Sequence, residues 1–191
     1  MIPFTSEAQR YEYPLTPESV VLDFGGYAGS FAKSIVEKYG CRVLVFEPVS
    51  KWYFECVKNL TAVPGVSIYM FGVGGESRFA EMGVSGDSTG LLSSSPEREM
   101  VQLRTLKDIM DGFELPAVDL VKLNVEGAEF ETVEQAIKDG TIKRIKNLQV
   151  QVHRCVEDAE ARWSAIQKRL EETHELTYYG AFCWENWQIK A

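Results

Sequence analysis

The sequence predicts an α/β fold in which helices cover both faces of a mostly parallel β-sheet. From Val20 onward, short apolar runs alternate with longer amphipathic segments, the pattern expected when helices connect parallel strands. With 191 residues, 45% of them hydrophobic, the chain can bury one substantial core. We therefore expect a single domain that spans residues 1–191.

Five short apolar runs are the candidate strands of this sheet. Continuous apolar runs of this length are typical of strands that are buried on both faces. The runs are 20–24, 42–46, 66–71, 118–123 and 147–153. The aromatic-rich tail further predicts two final strands around a turn at Gly180.

Five amphipathic segments are the candidate helices. The first begins at Ser30, which can cap it, and ends at Gly40. Phe31, Ile35 and Tyr39 then share one face, which we expect to lie against the sheet. The other helices are expected at about 50–60, 106–112, 128–138 and 157–173.

Residues 74–99 interrupt this alternation. The segment is rich in Gly and Ser and has no clear hydrophobic period. Loops of this length inside a compact domain are usually either functional or disordered. Both interpretations stay open: a substrate-side insertion or a mobile loop.

The chain is acidic, with 28 Asp and Glu residues, 20 Lys and Arg residues and a formal net charge of −8. Proteins that bind nucleic acids neutralise phosphates with Lys and Arg, so no nucleic-acid partner is expected. One basic cluster is interpreted as a solvated surface. Its members are Lys138, Lys143, Arg144 and Lys146.

The cysteines and the apolar runs indicate the compartment. The four cysteines are widely separated and form no Cys-x-x-Cys pair, so neither a disulfide framework nor a metal site is expected. Reduced thiols are typical of cytosolic proteins. The amino terminus has no signal-peptide pattern, and no apolar run approaches the roughly 20 residues that span a bilayer. We therefore expect a soluble, cytoplasmic protein with no membrane partner.

A glycine-rich turn follows the first predicted strand. It reads Asp23-x-Gly25-x-Tyr27-x-Gly29 and leads directly into the first helix. Such a turn leaves the first helical amides free and lets a ligand approach the backbone, which predicts a nucleotide or cofactor site. The dinucleotide pattern G-x-G-x-x-G would need glycines where Tyr27 and Ser30 stand, so a dinucleotide ligand is disfavoured.

A carboxylate stands at the end of the second predicted strand. Glu47, followed by Pro48, lies 24 residues after Asp23 and can accept hydrogen bonds from the ribose hydroxyls of a nucleoside. A pyrophosphate would be repelled by Asp23, whereas the sulfonium and ammonium of S-adenosylmethionine would not. The two carboxylates therefore favour S-adenosylmethionine.

The fourth predicted strand ends in polar residues. Lys122, Asn124 and Glu126 alternate along the extended chain, so they point to one side, at the edge where open α/β sheets bind ligands. Buried polar groups need partners. An ion pair between Lys122 and Glu126 that holds the loop is the structural alternative to a catalytic role.

Together these segments resemble the FkbM-type family of S-adenosylmethionine-dependent methyltransferases. The resemblance rests on VVLDFGGYAG, VFEP and VDLVKLNVEGAE, in this order, with VQLRTLKDIM before the last, and covers roughly residues 18–155. It implies a Rossmann-like three-layer sandwich whose sheet has about seven mostly parallel strands and an antiparallel C-terminal strand. It also implies S-adenosylmethionine as cofactor and O-methylation of a hydroxyl on a sugar or small metabolite.

The resemblance implies a set of cofactor-binding residues. In this sequence they are Asp23, Gly25, Gly26, Tyr27, Gly29, Glu47, Pro48 and Asn124. Lys122, Asn124, Glu126 and Glu129 match the signature of the fourth strand.

The chain departs from the family pattern at three positions. Gly26 stands where Ala is usual, which we expect to be harmless. Asn124 replaces an Asp, which removes a charge near the reacting methyl. Gln151 replaces a Glu two residues before the retained His153.

Candidate catalytic residues follow from the chemistry of methyl transfer. Alignment of the nucleophile with the methyl carbon supplies much of the catalysis, and a general base adds about 10²–10⁴-fold for a hydroxyl nucleophile. His153 is predicted as the base or as a residue that orients the substrate, with a purely structural histidine as the rival interpretation. Glu126 is the other candidate base, and Lys122 is predicted to orient it or to stabilise oxygen charge.

Two other function classes stay open at this point. A nicotinamide-dependent oxidoreductase can use the same sheet, although the glycine spacing argues against it. A non-catalytic cofactor-binding module is the second alternative. The identity of the acceptor and the oligomeric state do not follow from the sequence.

Overall fold

The computed structural model describes residues 2–84, 90–91 and 93–191. Its strands are β1 (Ile2–Pro3), β2 (Val20–Phe24), β3 (Arg42–Phe46), β4 (Val66–Tyr69), β5 (Gly72–Val73), β6 (Arg78–Gly83), β7 (Arg98–Arg104), β8 (Leu120–Leu123), β9 (Asn147–Gln151), β10 (His174–Tyr179) and β11 (Trp184–Ile189). Its α-helices are α1 (Ser30–Tyr39), α2 (Ser50–Leu60), α3 (Leu106–Gly112), α4 (Ala128–Asp139) and α5 (Ala159–Leu170). Short 3-10 helices span Glu7–Tyr11 and Thr141–Arg144.

The main sheet has eight strands in the order β1-β10-β11-β9-β8-β2-β3-β4. β11 runs antiparallel to both of its neighbours, and the other pairs are parallel. The predicted mostly parallel sheet with an antiparallel C-terminal strand is confirmed. An additional edge strand arises because Ile2 and Pro3 pair with Tyr178 and Tyr179 of β10.

The strand order reverses at β2, in the middle of the sheet. From β2 the chain moves outward through β3 to β4, and it later returns to β8 on the other side of β2. Asp23 therefore lies beside Val45 of β3 and beside Lys122 of β8. Because open α/β sheets bind ligands at such a reversal, the carboxyl ends of these three strands are the expected site.

Helices cover both faces of the sheet and make three layers. Successive strand residues face opposite sides: Leu22 and Phe24 of β2 pack with α3, α4 and α5, whereas Val21 packs with α1 and α2. Phe31 and Ile35 of α1 are buried in the second cluster, as their spacing predicts. Across the described residues, no helix is long and apolar enough to cross a membrane.

The N-cap of α1 differs from the predicted one, whereas its C-terminal end is as predicted. Ser30 is the first helical residue, and the N-cap is Gly29, which has a φ of 83° and no side-chain cap. A Cβ on Gly29 would lie 2.6 Å from Cδ1 of Leu60, so packing against α2 also requires glycine there. Gly40 ends the helix as predicted, and its N–H donates to the carbonyl of Val36.

Several predicted elements are shorter in the structure. β4 ends at Tyr69, β8 begins at Leu120 and β9 ends at Gln151, each inside the predicted run. α5 begins at Ala159 because Asp158 before it adopts a left-handed φ of 51°.

The segment 74–99 contains regular structure, which the sequence does not predict. β6 and the start of β7 lie in it, and a separate three-stranded sheet forms in the order β5-β7-β6. Met82 of β6 packs with Val101 and Leu103 of β7, so this sheet has an apolar cluster of its own. Residues 85–89 and 92 of the segment lie outside the described residues. A substrate-side role for 74–99 stays a prediction.

Candidate active site

A cavity of about 390 Å³ lies at the carboxyl ends of the central strands. This volume is within the range of small-molecule sites. Its polar and aromatic lining comes from the turns after β2, β3 and β8, from β9, from α2 and from the amino-terminal 3-10 helix. These lining residues include Arg10, Gly25, Gly26, Tyr27, Glu47, Pro48, Trp52, Lys122, Asn124, Glu126 and Gln151.

Most residues predicted to bind a cofactor line this cavity. Asp23 and Gly29 do not: Asp23 is fully buried beneath the turn, and Gly29 packs against Leu60. Of the predicted catalytic residues, Lys122 and Glu126 line the cavity, whereas His153 lies behind Glu126.

Close packing explains why the turn after β2 needs its glycines. A Cβ on Gly25, whose φ is 77°, would lie 1.9 Å from the carbonyl oxygen of Asn124. A Cβ on Gly26 would lie 2.3 Å from Cγ1 of Val45. Contacts below about 3 Å do not occur between such atoms without movement, so this chain needs glycine at position 26, where the family pattern usually has alanine.

Tyr27 and Trp52 form an aromatic wall at the rim of the cavity. Their ring centroids are 4.2 Å apart, and Tyr27 is 43% exposed. Tyr27 adopts a left-handed φ of 49°, and its backbone carbonyl accepts a hydrogen bond from Sγ of Cys56. Aromatic faces of this kind can pack against planar rings of a ligand. Trp52 lies in a run of three aromatic residues, and that local sequence does not show which face of α2 meets the cavity.

Glu47 is buried and joins two turns through its carboxylate. Its Oε2 accepts a hydrogen bond from the N–H of Tyr27 and its Oε1 accepts one from the N–H of Val49, both at 3.0 Å. Burial raises the pKa of Glu47 to about 7, although these two hydrogen bonds and the nearby Lys122 oppose that shift. Each oxygen keeps a lone pair with which it can accept a further hydrogen bond from a ligand hydroxyl.

Lys122 forms a buried ion pair with Asp23, at 2.9 Å between Nζ and Oδ1. Its Nζ also donates to the carbonyls of Phe24 and Gly25, at 3.2 and 2.8 Å. The ammonium is thus held by one ion pair and two hydrogen bonds. The carboxylate that pairs with Lys122 is therefore Asp23 and not Glu126, and Lys122 stabilises the turn.

His153 lies between two carboxylates. Its Nδ1 is 3.1 Å from Oε1 of the fully buried Glu129, and its Nε2 is 3.2 Å from Oε1 of Glu126. Burial lowers the pKa of His153, but the two carboxylates outweigh burial and raise the pKa to about 9. At neutral pH the imidazole is thus a cation. This arrangement favours the orienting role over the base role, and Glu126 presents its carboxylate to the cavity.

Arg10 is a cavity residue that sequence reasoning missed. Its guanidinium carbon lies 3.7 Å from the ring centroid of Trp184 in β11, and its backbone carbonyl accepts a hydrogen bond from Nε2 of Gln149 in β9. No local motif signals this contact, because the partners are more than 130 positions away along the chain. Gln151, noted only as a departure from a pattern, also lines the cavity.

Two lining residues have buried polar atoms without a hydrogen-bond partner among the described residues. They are Nε of Arg10 and Oδ1 of Asn124. Within residues 2–84, 90–91 and 93–191, no cluster of three or more His, Cys, Asp and Glu side chains is placed to hold a metal ion. The cavity lining offers carboxylates, amides and a guanidinium as hydrogen-bonding groups.

Comparison with known proteins gives one family. Residues 23–178 match the family described as the methyltransferase FkbM domain. No curated protein is significantly similar to the chain in sequence.

Solved structures of low sequence identity share the fold. A proposed methyltransferase from Streptococcus mutans in complex with SAH is 10% identical over 100% of both chains, with a TM-score of 0.59. A proposed rRNA methylase from Clostridium thermocellum is 12% identical over 93% of this chain and 89% of its own, with a TM-score of 0.58. The 23S rRNA methyltransferase ErmE is 10% identical over 99% of this chain and 70% of its own, with a TM-score of 0.53.

These neighbours correct one prediction from composition. Because rRNA methylases are among them, the expectation that nucleic acid is excluded as a partner is wrong. Net charge averages over the whole surface, whereas an acceptor contacts one local part of it.

Proposed function

Because this chain belongs to the FkbM methyltransferase family, we propose that it transfers a methyl group from S-adenosylmethionine to a hydroxyl oxygen of a sugar or small metabolite. The family membership identifies it as a methyltransferase with S-adenosylmethionine as cofactor. The observation that carries the choice of a hydroxyl acceptor is the carboxylate of Glu126, which faces the cavity with His153 behind it.

The residues of the cavity fit this cofactor. Glu47 has lone pairs for the two ribose hydroxyls, and the glycine turn at Gly25 lets a ligand approach the backbone closely. The unpartnered Oδ1 of Asn124 can accept a hydrogen bond from an ammonium. When bound, S-adenosylmethionine supplies a methyl group activated by a positively charged sulfur.

The carboxylate of Glu126 is suited to take the proton of an acceptor hydroxyl. Its side chain is 29% exposed, so it is open to a ligand, and its backbone adopts a left-handed φ of 49°. Non-glycine residues with such a φ are strained and need support from their surroundings. Support comes from His153, and from Glu129, whose Oε2 accepts a hydrogen bond from the N–H of Gly127 at 2.7 Å.

Charge balance in this group favours Glu126 over His153 as the acceptor of the proton. The imidazolium of His153 carries a proton on each ring nitrogen, so it has no lone pair for another proton. Its nitrogens lie 3.1 Å from Oε1 of Glu129 and 3.2 Å from Oε1 of Glu126. Its positive charge lies 3.2 Å from Oε1 of Glu126, and Glu126 is the carboxylate of this group that lines the cavity.

Two measurements test the proposed function. Calorimetry with S-adenosylhomocysteine should show binding to the wild type and weaker binding to Glu47→Gln. Transfer of a labelled methyl group should be measured with a panel of sugars, hydroxylated small molecules and RNA, with Glu126→Gln as the variant of reduced activity. A protein that binds no S-adenosylhomocysteine contradicts the cofactor. Transfer to a nitrogen or carbon, or to RNA alone, contradicts the proposed acceptor.

A non-catalytic role would give a different pattern. Cofactor binding with no methyl transfer to any member of the panel would support the non-catalytic module. The family match favours a methyltransferase over the nicotinamide-dependent alternative. A thermal-shift comparison of NAD with S-adenosylhomocysteine should give stabilisation only with the latter.

A further inference from the structure

Two residues that line the cavity have buried, unpartnered polar atoms of opposite character. Nε of Arg10 is a donor and Oδ1 of Asn124 is an acceptor, and both are buried without a hydrogen-bond partner among the described residues. A buried polar group without a partner is unfavourable. A ligand that carries both an anion and a cation would satisfy the two atoms together.

Arg10 is arranged to bind an anion. Its guanidinium lies on the ring of Trp184, and only 14% of its side chain is exposed. Its ion pair is with Glu7, whose side chain is 66% exposed and is bound through Nη1. The hydrogen bond from Gln149 to the backbone carbonyl of Arg10 attaches this residue to β9. The guanidinium is therefore held in place before a ligand arrives, and its buried Nε has no hydrogen-bond partner among the described residues.

The other positive residue in the described cavity lining is not available. Lys122 forms its ion pair with Asp23 and donates hydrogen bonds to the carbonyls of Phe24 and Gly25. Arg10 is therefore the basic lining residue that can bind an anionic group of a ligand in this cavity.

The order of the lining residues across the sheet places these atoms at the end opposite to Glu47. Glu47 follows β3, Asn124 follows β8, and Arg10 lies over Trp184 of β11. In the sheet, β2, β8 and β9 separate β3 from β11. A nucleoside with its ribose at Glu47 and its 5′ substituent extended towards β8 would therefore reach Asn124 before Arg10.

We propose that Arg10 binds the α-carboxylate and Asn124 the α-ammonium of the methionine portion of the cofactor. The proposal rests on the proposed function, because it takes S-adenosylmethionine as the ligand. Arg10 lies outside residues 23–178, which match the family. The amino-terminal segment thus completes the cofactor site, and the amide of Asn124 serves as a neutral acceptor for the ammonium.

Three ligands separate the groups of the cofactor. S-adenosylhomocysteine carries the carboxylate and the ammonium, its decarboxylated analogue keeps only the ammonium, and 5′-methylthioadenosine has neither. Calorimetry on the wild type should give the tightest binding with S-adenosylhomocysteine. Because a hydrogen bond between charged groups is strong, loss of the carboxylate should weaken binding by about 10- to 100-fold.

Variants of Arg10 and Asn124 assign each group to its residue. Arg10→Met should weaken binding of S-adenosylhomocysteine by about the same 10- to 100-fold and leave the other two ligands unchanged. Arg10→Lys, which keeps the charge, should recover part of the loss. Asn124→Leu should weaken both ligands that carry the ammonium and spare 5′-methylthioadenosine. Glu7→Gln, the matched control, should bind S-adenosylhomocysteine at least as well as the wild type.

Several results would overturn the proposal. Equal wild-type affinities for S-adenosylhomocysteine and its decarboxylated analogue would do so without any variant, even if Arg10→Met fails to fold. A loss of affinity for all three ligands in Arg10→Met would show that the residue acts through its packing on Trp184. Failure of the proposed function looks different, because the wild type would then bind none of the three ligands.

Discussion

Asp23 and Lys122 form an ion pair in the interior of the sheet, with 0% and 4% of their side chains exposed and 2.9 Å between the charged atoms. They are direct neighbours in the register of β2 and β8. The pair joins the strands at the point where the strand order reverses, and Lys122 extends the link to the carbonyls of the glycine turn. The cavity wall therefore depends on a contact that lies beneath it.

The first prediction concerns this pair. Lys122→Met leaves the carboxylate of Asp23 buried without a counter-charge, and removal of one partner of a buried pair typically costs about 3–5 kcal/mol. Urea denaturation should show a loss of this size in the free energy of unfolding. Lys143→Met, at an exposed position, is the control and should change it little. If Asp23→Asn combined with Lys122→Met is no more stable than Lys122→Met alone, the unpaired charge is not the cause.

The second prediction concerns the pH dependence that His153 confers. Its folded pKa of about 9 lies above the ordinary value of 6.5, so the folded protein binds this proton more tightly than the unfolded chain does. The resulting stability is complete below pH 6.5 and is lost as the pH rises through about 9. The contribution is on the order of 3 kcal/mol.

NMR titration of the imidazole protons tests this value directly. The chain has two histidines, and burial lowers the pKa of the other one, His174, so the two signals are readily distinguished. His153→Gln should lose the stability difference between pH 6.5 and pH 9. A His153 signal that titrates below pH 7 would contradict the two-carboxylate arrangement.

The third prediction concerns Glu47, whose pKa burial raises to about 7. Ribose hydroxyls that donate to the carboxylate favour its ionised form, so cofactor binding should lower this pKa. Binding of S-adenosylhomocysteine near pH 6.5 should then release a fraction of a proton and should tighten as the pH rises to 8. Calorimetry in buffers of different ionisation enthalpy measures the released proton. Glu47→Gln should abolish it, and release of the same size in that variant would assign the proton to another group.

The fourth prediction concerns the glycine turn. Gly26→Ala places a methyl group 2.3 Å from Cγ1 of Val45, and overpacking of this kind costs about 1–3 kcal/mol. Thermal unfolding should show this loss of stability. The double variant Gly26→Ala with Val45→Ala should regain part of it, because the overlapping Cγ1 is then absent. Gly25→Ala should cost more, because its methyl group would meet a backbone carbonyl that cannot move aside. A neutral Gly26→Ala would mean that the turn shifts to accept the side chain.

The elements that the sequence predicts best are those with strong local patterns. β2, β3, α2 and α3 have the predicted bounds, because continuous apolar runs and amphipathic periods are properties of neighbouring residues. The small sheet of β5, β6 and β7 was not predicted as a unit. β6 is irregular in its apolar pattern and gains its partners only when β7 lies beside it, so no local signal marks it.

The candidate site likewise has residues whose placement the sequence predicts and residues whose placement it does not. Gly25, Gly26, Tyr27, Glu47, Pro48 and Asn124 line the cavity because parallel strands bring their carboxyl ends to one edge, and this follows from the order of elements. Asp23 lies beneath that edge because it is still part of β2, where it is fully buried and is the register partner of Lys122.

The sequence by itself determined the α/β fold class, the edge of the sheet that carries the site and the class of cofactor. Only the tertiary structure decided the pairing of charges: Asp23 with Lys122, His153 between Glu126 and Glu129, and Arg10 over Trp184. The physical reason is that periodicity follows from residues close together in the chain. An ion pair, in contrast, needs a carboxylate within about 4 Å of a cation. Strand order and side-chain directions decide which carboxylate that is, and the partners are distant in sequence.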